Sequence, residues 1–206
     1  FTFTVNPEPV IPNQTDEICS GETFTVDPVN NPPTTIVPAG TTYTWTVVDN
    51  PDVFGELDEG SSQTTISQNL KNESNVPQLV NYTVTPTSGA EGGCVGEPFT
   101  VTVQVNPKPT LEDVVVPAIC SVATFDLIPV NSGGFSGTDI IPADTTYTWT
   151  VVDNPNVVGD EDSNQTTGLT SIGQTLTNIS SVPQTLVYTV TPTSGAVGFC
   201  LGDTFT

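Results

Sequence analysis

The sequence has 206 residues, with 23 acidic side chains against two lysines, Lys71 and Lys108, a formal charge of −21 and no histidine or methionine. A chain this acidic repels phosphate backbones and anionic headgroups, so no nucleic-acid partner is expected; nor is direct membrane insertion, because no apolar run approaches the roughly 18 residues of a span. Without histidine there is no Ser-His-Asp triad, Cys-His dyad or imidazole metal ligand, and the chain is not expected to be an enzyme.

Residues 1–6 already show how the chain is organised. Gly202 to Thr206 followed by Phe1 to Pro9 reads GDTFTFTFTVNPEP, which matches GEPFTVTVQVNPKP at Gly96 to Pro109 without a gap. TTYTWTVVDNP at 41–51 recurs at 145–155, and YTVTPTSGA at 82–90 recurs at 188–196. Offsets grow from 100 (Pro7 to Pro107) to 106 (Cys94 to Cys200), so insertions fall between matched segments, where loops tolerate them. This is the signature of a tandem array of small domains. Residues 1–6 are expected to be the last strand of a preceding module, 7–106 a first repeat, and 107–206 a second repeat lacking most of its last strand. Phe1 opens no signal-peptide pattern, and the chain reads as an interior piece of a longer mature protein.

Along the chain the apolar period is two. Phe24 and Val26 alternate with threonines, as do Tyr43, Trp45 and Val47, predicting half-buried strands. Ile66 and Leu70 suggest a further strand, followed by Val80, Tyr82 and Val84, then Phe99, Val101, Val103 and Val105. The second repeat offers Phe125 and Leu127, then Tyr147, Trp149 and Val151, then Ile172 and Leu176, then Tyr188 and Val190. Pro, Gly, Asn and Asp cluster between these runs as turn formers, and no helical period occurs. The expected fold is all-β, an antiparallel β-sandwich in each repeat. A hydrophobic share of 35% in such patterns argues against disorder.

Cys19 and Cys94 stand at places matching Cys120 and Cys200. Four cysteines allow three pairings, of which only Cys19 with Cys94 and Cys120 with Cys200 keeps both bridges within a repeat. That pairing is expected, each bridge closing a loop worth about 4.5 kcal/mol on the loop-entropy model. Disulfides imply an oxidising, exported location, and two cysteines per repeat without histidine fall short of a zinc site.

Acidic residues gather after the shared Asp-Asn-Pro turns at Asp49 and Asp153. Asp160, Asp162 and Asn164 place oxygen ligands at alternate positions, as in the opening of a calcium loop, with Glu56 and Asp58 as the first repeat's counterpart. No cofactor is required, and calcium is the one the sequence suggests, against an ordinary solvated loop. Paired carboxylates could support glycoside hydrolysis, but no acidic pair stands on a predicted strand facing a cleft. Trp45 and Trp149 sit mid-strand and are expected in the core rather than on a sugar-stacking face; Tyr82 and Tyr188 are expected there too. Phe54 and Phe135 fall where the repeats differ, as loop residues capping the core or as exposed contacts. Asp144, Thr145, Thr146 has the order of an O-glycosylation sequon of Bacteroidota, making Thr145 a candidate site against plain strand-edge threonine. Asn13, Asn81 and Asn178 open Asn-x-Ser/Thr matches.

TYTWTVVDNP, SQNLKNESNVPQLVNYTVTPTSGAEGGC and EPFTVTVQVNPKP resemble the PKD-like and immunoglobulin-like repeats of very large Bacteroidota cell-surface adhesins. The resemblance implies tandem immunoglobulin-like (PKD-like) sandwiches, export by the type IX system, extracellular display at the cell surface, and a role in adhesion or gliding motility. Independently, the junctions Asn6-Pro7-Glu8-Pro9 and Asn106-Pro107-Lys108-Pro109 are stiffened by fixed φ, and charge of one sign discourages side-by-side association. The expected function is a structural stalk segment of a long adhesin filament. Its partners are neighbouring repeats of the same chain, with an extracellular surface or polysaccharide as a further target. The alternatives are a carbohydrate- or ligand-binding module of a secreted protein and a calcium-rigidified linker.

Overall fold

Threonine alternating with large apolar residues gives strands throughout, and no helix occurs among the described residues. The computed structural model describes residues 1–130, 139–163, 168–195 and 198–206, and the chain divides into two compact units, Phe1–Asn106 and Pro107–Thr206.

The first unit contains β1 (Gln14–Cys19), β2 (Thr23–Val26), β3 (Thr42–Val47), β4 (Val53–Phe54), β5 (Glu59–Gln63), β6 (Ile66–Asn69), β7 (Lys71–Asn72), β8 (Gln78–Thr87) and β9 (Phe99–Asn106). One layer is a sheet in the order β1-β9-β8-β3-β5; the other is formed by β2 on β6 and β4 on β7. The inward phase of each strand fills the space between. Phe24, Ile66 and Leu70 come from one side, and Trp45, Val80, Tyr82, Val84, Val101, Val103 and Val105 from the other. Each such side chain contributes roughly 1.5–3 kcal/mol by leaving water, before the entropy of ordering it is counted. Phe24 packs on Tyr82 with ring centroids 5.2 Å apart, and Tyr43 meets Phe99 edge-on at 6.4 Å.

β1 departs from the antiparallel pattern. It runs parallel to β9, from Gln14 opposite Val101 to Cys19 opposite Asn106. A parallel pair needs a long connection, and here the rest of the module supplies it.

The second unit contains β10 (Ala123–Leu127), β11 (Thr146–Val151), β12 (Val157–Val158), β13 (Ile172–Asn178) and β14 (Tyr188–Thr193). β10, β13 and β12 form one layer and β11 with β14 the other. Tyr147, Trp149, Ile172, Val190 and Phe205 are buried between them, with Phe125, Leu127 and Tyr188 half-buried alongside. Phe125 meets Tyr188 at 5.3 Å and Tyr147 meets Phe205 edge-on at 6.5 Å, repeating the aromatic pairs of the first unit. Residues 115–120 and 184–187, the counterparts of β1 and of the start of β8, form no strand. Phe1–Val5 forms none either and is exposed.

Candidate functional site

The acidic loops lie where the sequence places them, but their carboxylates face the protein backbone. After β3 the chain turns at Asn50 and returns, so that Glu56 Oε1 accepts the Asn50 N–H at 3.1 Å and Asp58 Oδ1 accepts the Val47 N–H at 2.8 Å. The second unit repeats both contacts: Asp160 Oδ2 accepts the Asn154 N–H at 2.7 Å and Asp162 Oδ1 accepts the Val151 N–H at 2.8 Å. Charge-assisted bonds of this kind pin a loop to the strand it has just left. Four of the five calcium candidates thus have an oxygen engaged by backbone, while Asn164 lies outside the described residues. Among the described residues, no group of three or more His, Cys, Asp or Glu is placed to hold a metal ion.

Beneath each loop lies a polar network. Trp45 Nε1 donates to the Leu57 carbonyl at 3.1 Å, Gln68 Nε2 donates to the same carbonyl at 2.7 Å, and the Tyr82 hydroxyl donates to Gln68 Oε1 at 2.8 Å. In the second unit Trp149, the Glu161 carbonyl, Gln174 and Tyr188 do the same at 3.2, 2.5 and 2.8 Å. Burial, and then the Glu56 carboxylate, push the Tyr82 phenol well above its ordinary value. Burial and then Asp160 push Tyr188 up to about 12, and burial and then Asp139 push Tyr147 up to about 12. Glu56 Oε2 is buried without a hydrogen-bond partner, consistent with its field being felt at Tyr82. Both tryptophans are buried to the same degree, so neither offers a face for stacking a sugar.

Gln68 and Gln174 hold these networks together, and sequence reasoning passed over them. Their one signal was identity at matched positions, which many threonines of the same strands also show. A second pair was missed in the same way. Ser20 Oγ accepts the Asn72 N–H at 3.0 Å, and Ser121 Oγ accepts the Asn178 N–H at 3.0 Å.

The cysteines do not follow the expected pairing. In the first unit Cys19 is disulfide-bonded and Cys94 is a free thiol; in the second Cys200 is disulfide-bonded and Cys120 is a free thiol. Strand geometry within the first unit explains why Cys19 and Cys94 cannot meet. Cys19 lies opposite Asn106 at one end of β9, whereas Cys94 accepts the Ser88 N–H beyond the far end of β8. About eight residues at ~3.3 Å each separate the two ends, far beyond the ~7 Å Cα limit of a disulfide. In the second unit Cys200 likewise accepts the Ser194 N–H beyond β14, while Cys120 adjoins the start of β10.

Thr145, the glycosylation candidate, is buried, and its hydroxyl donates to the Pro142 carbonyl at 2.7 Å, as Thr41 does to Pro38 at 2.6 Å. That hydroxyl shapes the turn before β11 and is withheld from a transferase acting on the folded module. Asn81 Oδ1 accepts the Thr102 hydroxyl, and Asn178 Nδ2 donates to the Val182 carbonyl at 2.8 Å. Phe54 is 55% exposed on β4, and Phe135 lies outside the described residues. A shallow depression is lined by Gln14, Asp27, Asn30 and Thr35.

The sequence profile of a family described as the PKD-like domain matches residues 14–109 and again 118–206. No curated protein matches the chain. Among solved structures, a crystal structure of human CDH23 EC21-23 is similar at 15% identity and a TM-score of 0.33, covering 95% of this chain and 60% of that one. The chain thus spans less than two thirds of that structure's length.

Proposed function

Because the chain belongs to the PKD-like domain family, we propose that its two modules are a stalk segment of a long, exported cell-surface adhesin, of the kind that flavobacterial gliding adhesins exemplify. One observation carries this reading. The polar side chains repeated between the modules, Asp58 and Asp162, Gln68 and Gln174, Tyr82 and Tyr188, bond to the module's own backbone or to one another rather than lining a cleft. Repetition has kept what builds the module, and a spacer needs nothing more. A charge of −21 favours extension and resists lateral clumping, and disulfide-bonded cysteine supports an oxidising, extracellular setting. The adhesive contact itself, to a surface or a polysaccharide, belongs to other parts of the protein.

The test uses intact cells of the source organism. Antibodies raised against the two modules are expected to label the outside of unpermeabilised cells, and deleting the parent protein is expected to reduce attachment or surface movement. Labelling only after permeabilisation contradicts the proposal, as does unchanged attachment and movement in the deletion strain.

A further inference from the structure

Both modules turn the chain through left-handed backbone at matched places, but with different residues. Between Cys19 and β2 the first module has Gly21 at φ +87°, where the second has Val122 at +69°. Gly40 stands at +74° ahead of β3, and Asp144 at +56° ahead of β11. Gly93 precedes Cys94 at +53°, and Phe199 precedes Cys200 at +47°. Two of these turns keep their hydrogen bonds. The Gly21 N–H donates to the Leu70 carbonyl and the Val122 N–H to the Leu176 carbonyl, both at 2.8 Å. The Thr41 and Thr145 N–H groups donate to the Pro38 and Pro142 carbonyls at 3.1 and 3.3 Å.

Other matched pairs mark the limit of the exchange. Gly55 and Gly159 lie at +100° and +98°, and Gly92 and Gly198 at +100° and +93°; these values fall outside the small left-handed region open to other residues, and both modules keep glycine there. Inside that region a side chain is admitted at a cost, because its Cβ crowds the following carbonyl oxygen. The cost is greatest for the β-branched Val122 and least for Asp144, whose short polar side chain suits this backbone. Burial does not offset it: Val122 is 70% and Phe199 74% exposed, and Asp144 is exposed as well. Space is not limiting in the first module either. A Cβ on Gly21 or Gly93 would meet no atom within 4 Å, and one on Gly40 would meet the Gly89 Cα at 3.5 Å, an ordinary contact. What separates the modules at these three turns is backbone strain.

We propose that the second module is the load-limiting unit of the pair, set by strain at Val122, Asp144 and Phe199 to open before the first. Strain held in the folded state and released on unfolding lowers the stability of the module that holds it. Tension along a tandem chain passes through both modules, and the one that opens first lengthens the chain before the other is disturbed. About 100 residues at ~3.3–3.6 Å each supply roughly 300 Å of slack. The use of this slack rests on the stalk reading, whereas the order of opening is a property of the folded chain and is tested without cells.

Hydrogen exchange followed by mass spectrometry on the full chain reads the modules separately, through the amides of β8 and β9 and those of β11 and β14. In the unaltered chain the second set is expected to exchange faster. A variant with Val122→Gly, Asp144→Gly and Phe199→Gly is expected to slow exchange of β11 and β14 about tenfold and to leave β8 and β9 unchanged; the gain is the relief of strain less the added freedom of glycine in the unfolded chain. The reverse variant, Gly21→Val, Gly40→Asp and Gly93→Phe, is expected to speed exchange of β8 and β9 about tenfold or more, and it keeps the fold because no added Cβ clashes. Equal exchange in the two modules of the unaltered chain overturns the proposal. So does a second module unmoved by the three glycines, or a first module unmoved by their loss.

Discussion

The Tyr82 hydroxyl donates to Gln68 Oε1 at 2.8 Å, and the Tyr188 hydroxyl donates to Gln174 Oε1 at the same distance. Each glutamine then reaches the carbonyl that also receives its module's tryptophan, so a core aromatic, a strand and a loop are joined in one network. Removing one member leaves buried polar atoms unpaired, which costs more than the bond itself. Tyr82→Phe is expected to destabilise the first module by about 1–2 kcal/mol and Gln68→Leu by about 2–3 kcal/mol. Urea unfolding with unchanged slope checks both.

Alkaline stability follows from the same tyrosines. A phenol whose folded value is raised contributes stability that is present below its unfolded value near 10 and is lost as the pH climbs through the folded value. Tyr147 and Tyr188 are both pushed up to about 12 by burial and then by a neighbouring carboxylate. With these groups neutral at lower pH, their contribution is expected to be flat from neutrality to about pH 10 and then to fall between about 10 and 12. Phenolate absorbance is expected to rise together with unfolding in that window. Ionisation of all four tyrosines near 10 in a protein that stays folded contradicts the burial argument.

The carboxylates are expected to behave as loop clamps. Asp160 is buried and accepts the Asn154 N–H, so Asp160→Ala is expected to cost about 1.5–3 kcal/mol. Exposed Asp58, on the Val47 N–H, is expected to cost about 1 kcal/mol or less on substitution by Ala. Melting curves in calcium and in EDTA are expected to superimpose; a rise in melting temperature with calcium assigns these carboxylates to a metal instead.

Gly55 and Gly159, in the turns after β4 and β12, have φ of +100° and +98°. A Cβ on Gly55 would overlap the Asn69 carbonyl oxygen, and one on Gly159 would overlap that of Thr175. Alanine at either position combines an unfavourable φ with a clash against backbone, and is expected to cost about 2 kcal/mol or more. Thermal melts of the two variants check it.

Alkylation mapping checks the cysteines. Cys94 and Cys120 are expected to be modified before reduction, and Cys19 and Cys200 only after it. Protection of Cys94 or Cys120 in the unreduced protein contradicts this assignment.

The parts of the fold that were legible in the sequence are those where alternation is strong on one face. Tyr43 and Trp45 on β3, Val80, Tyr82 and Val84 on β8 and the valines of β9 all lie inward as their period requires. β1 gave no such signal, because Ile18 is its one buried apolar side chain and its register comes from a partner nearly ninety residues away. β5 has no apolar residue in Glu59–Gln63, and is a strand because β3 offers it an edge. Matched cysteines showed that the modules share a plan, but not that Cys19 and Cys94 stand at opposite ends of a sheet. The acidic loops were located correctly, yet spacing alone cannot say that Asp58 and Asp162 turn toward backbone N–H groups. Sequence identity at Gln68 and Gln174 was visible throughout, and only the geometry gives it a meaning.

The central claim is that these modules space an adhesin rather than bind its target. The direct measurement replaces residues 7–206 in the parent protein with two unrelated β-sandwich modules of similar length and net charge, and compares attachment of cells carrying each version. The account predicts attachment equal to that of the unaltered protein, because length is what the segment supplies. Attachment falling to the level of cells in which the segment is simply deleted contradicts it, and assigns the binding contact to these modules.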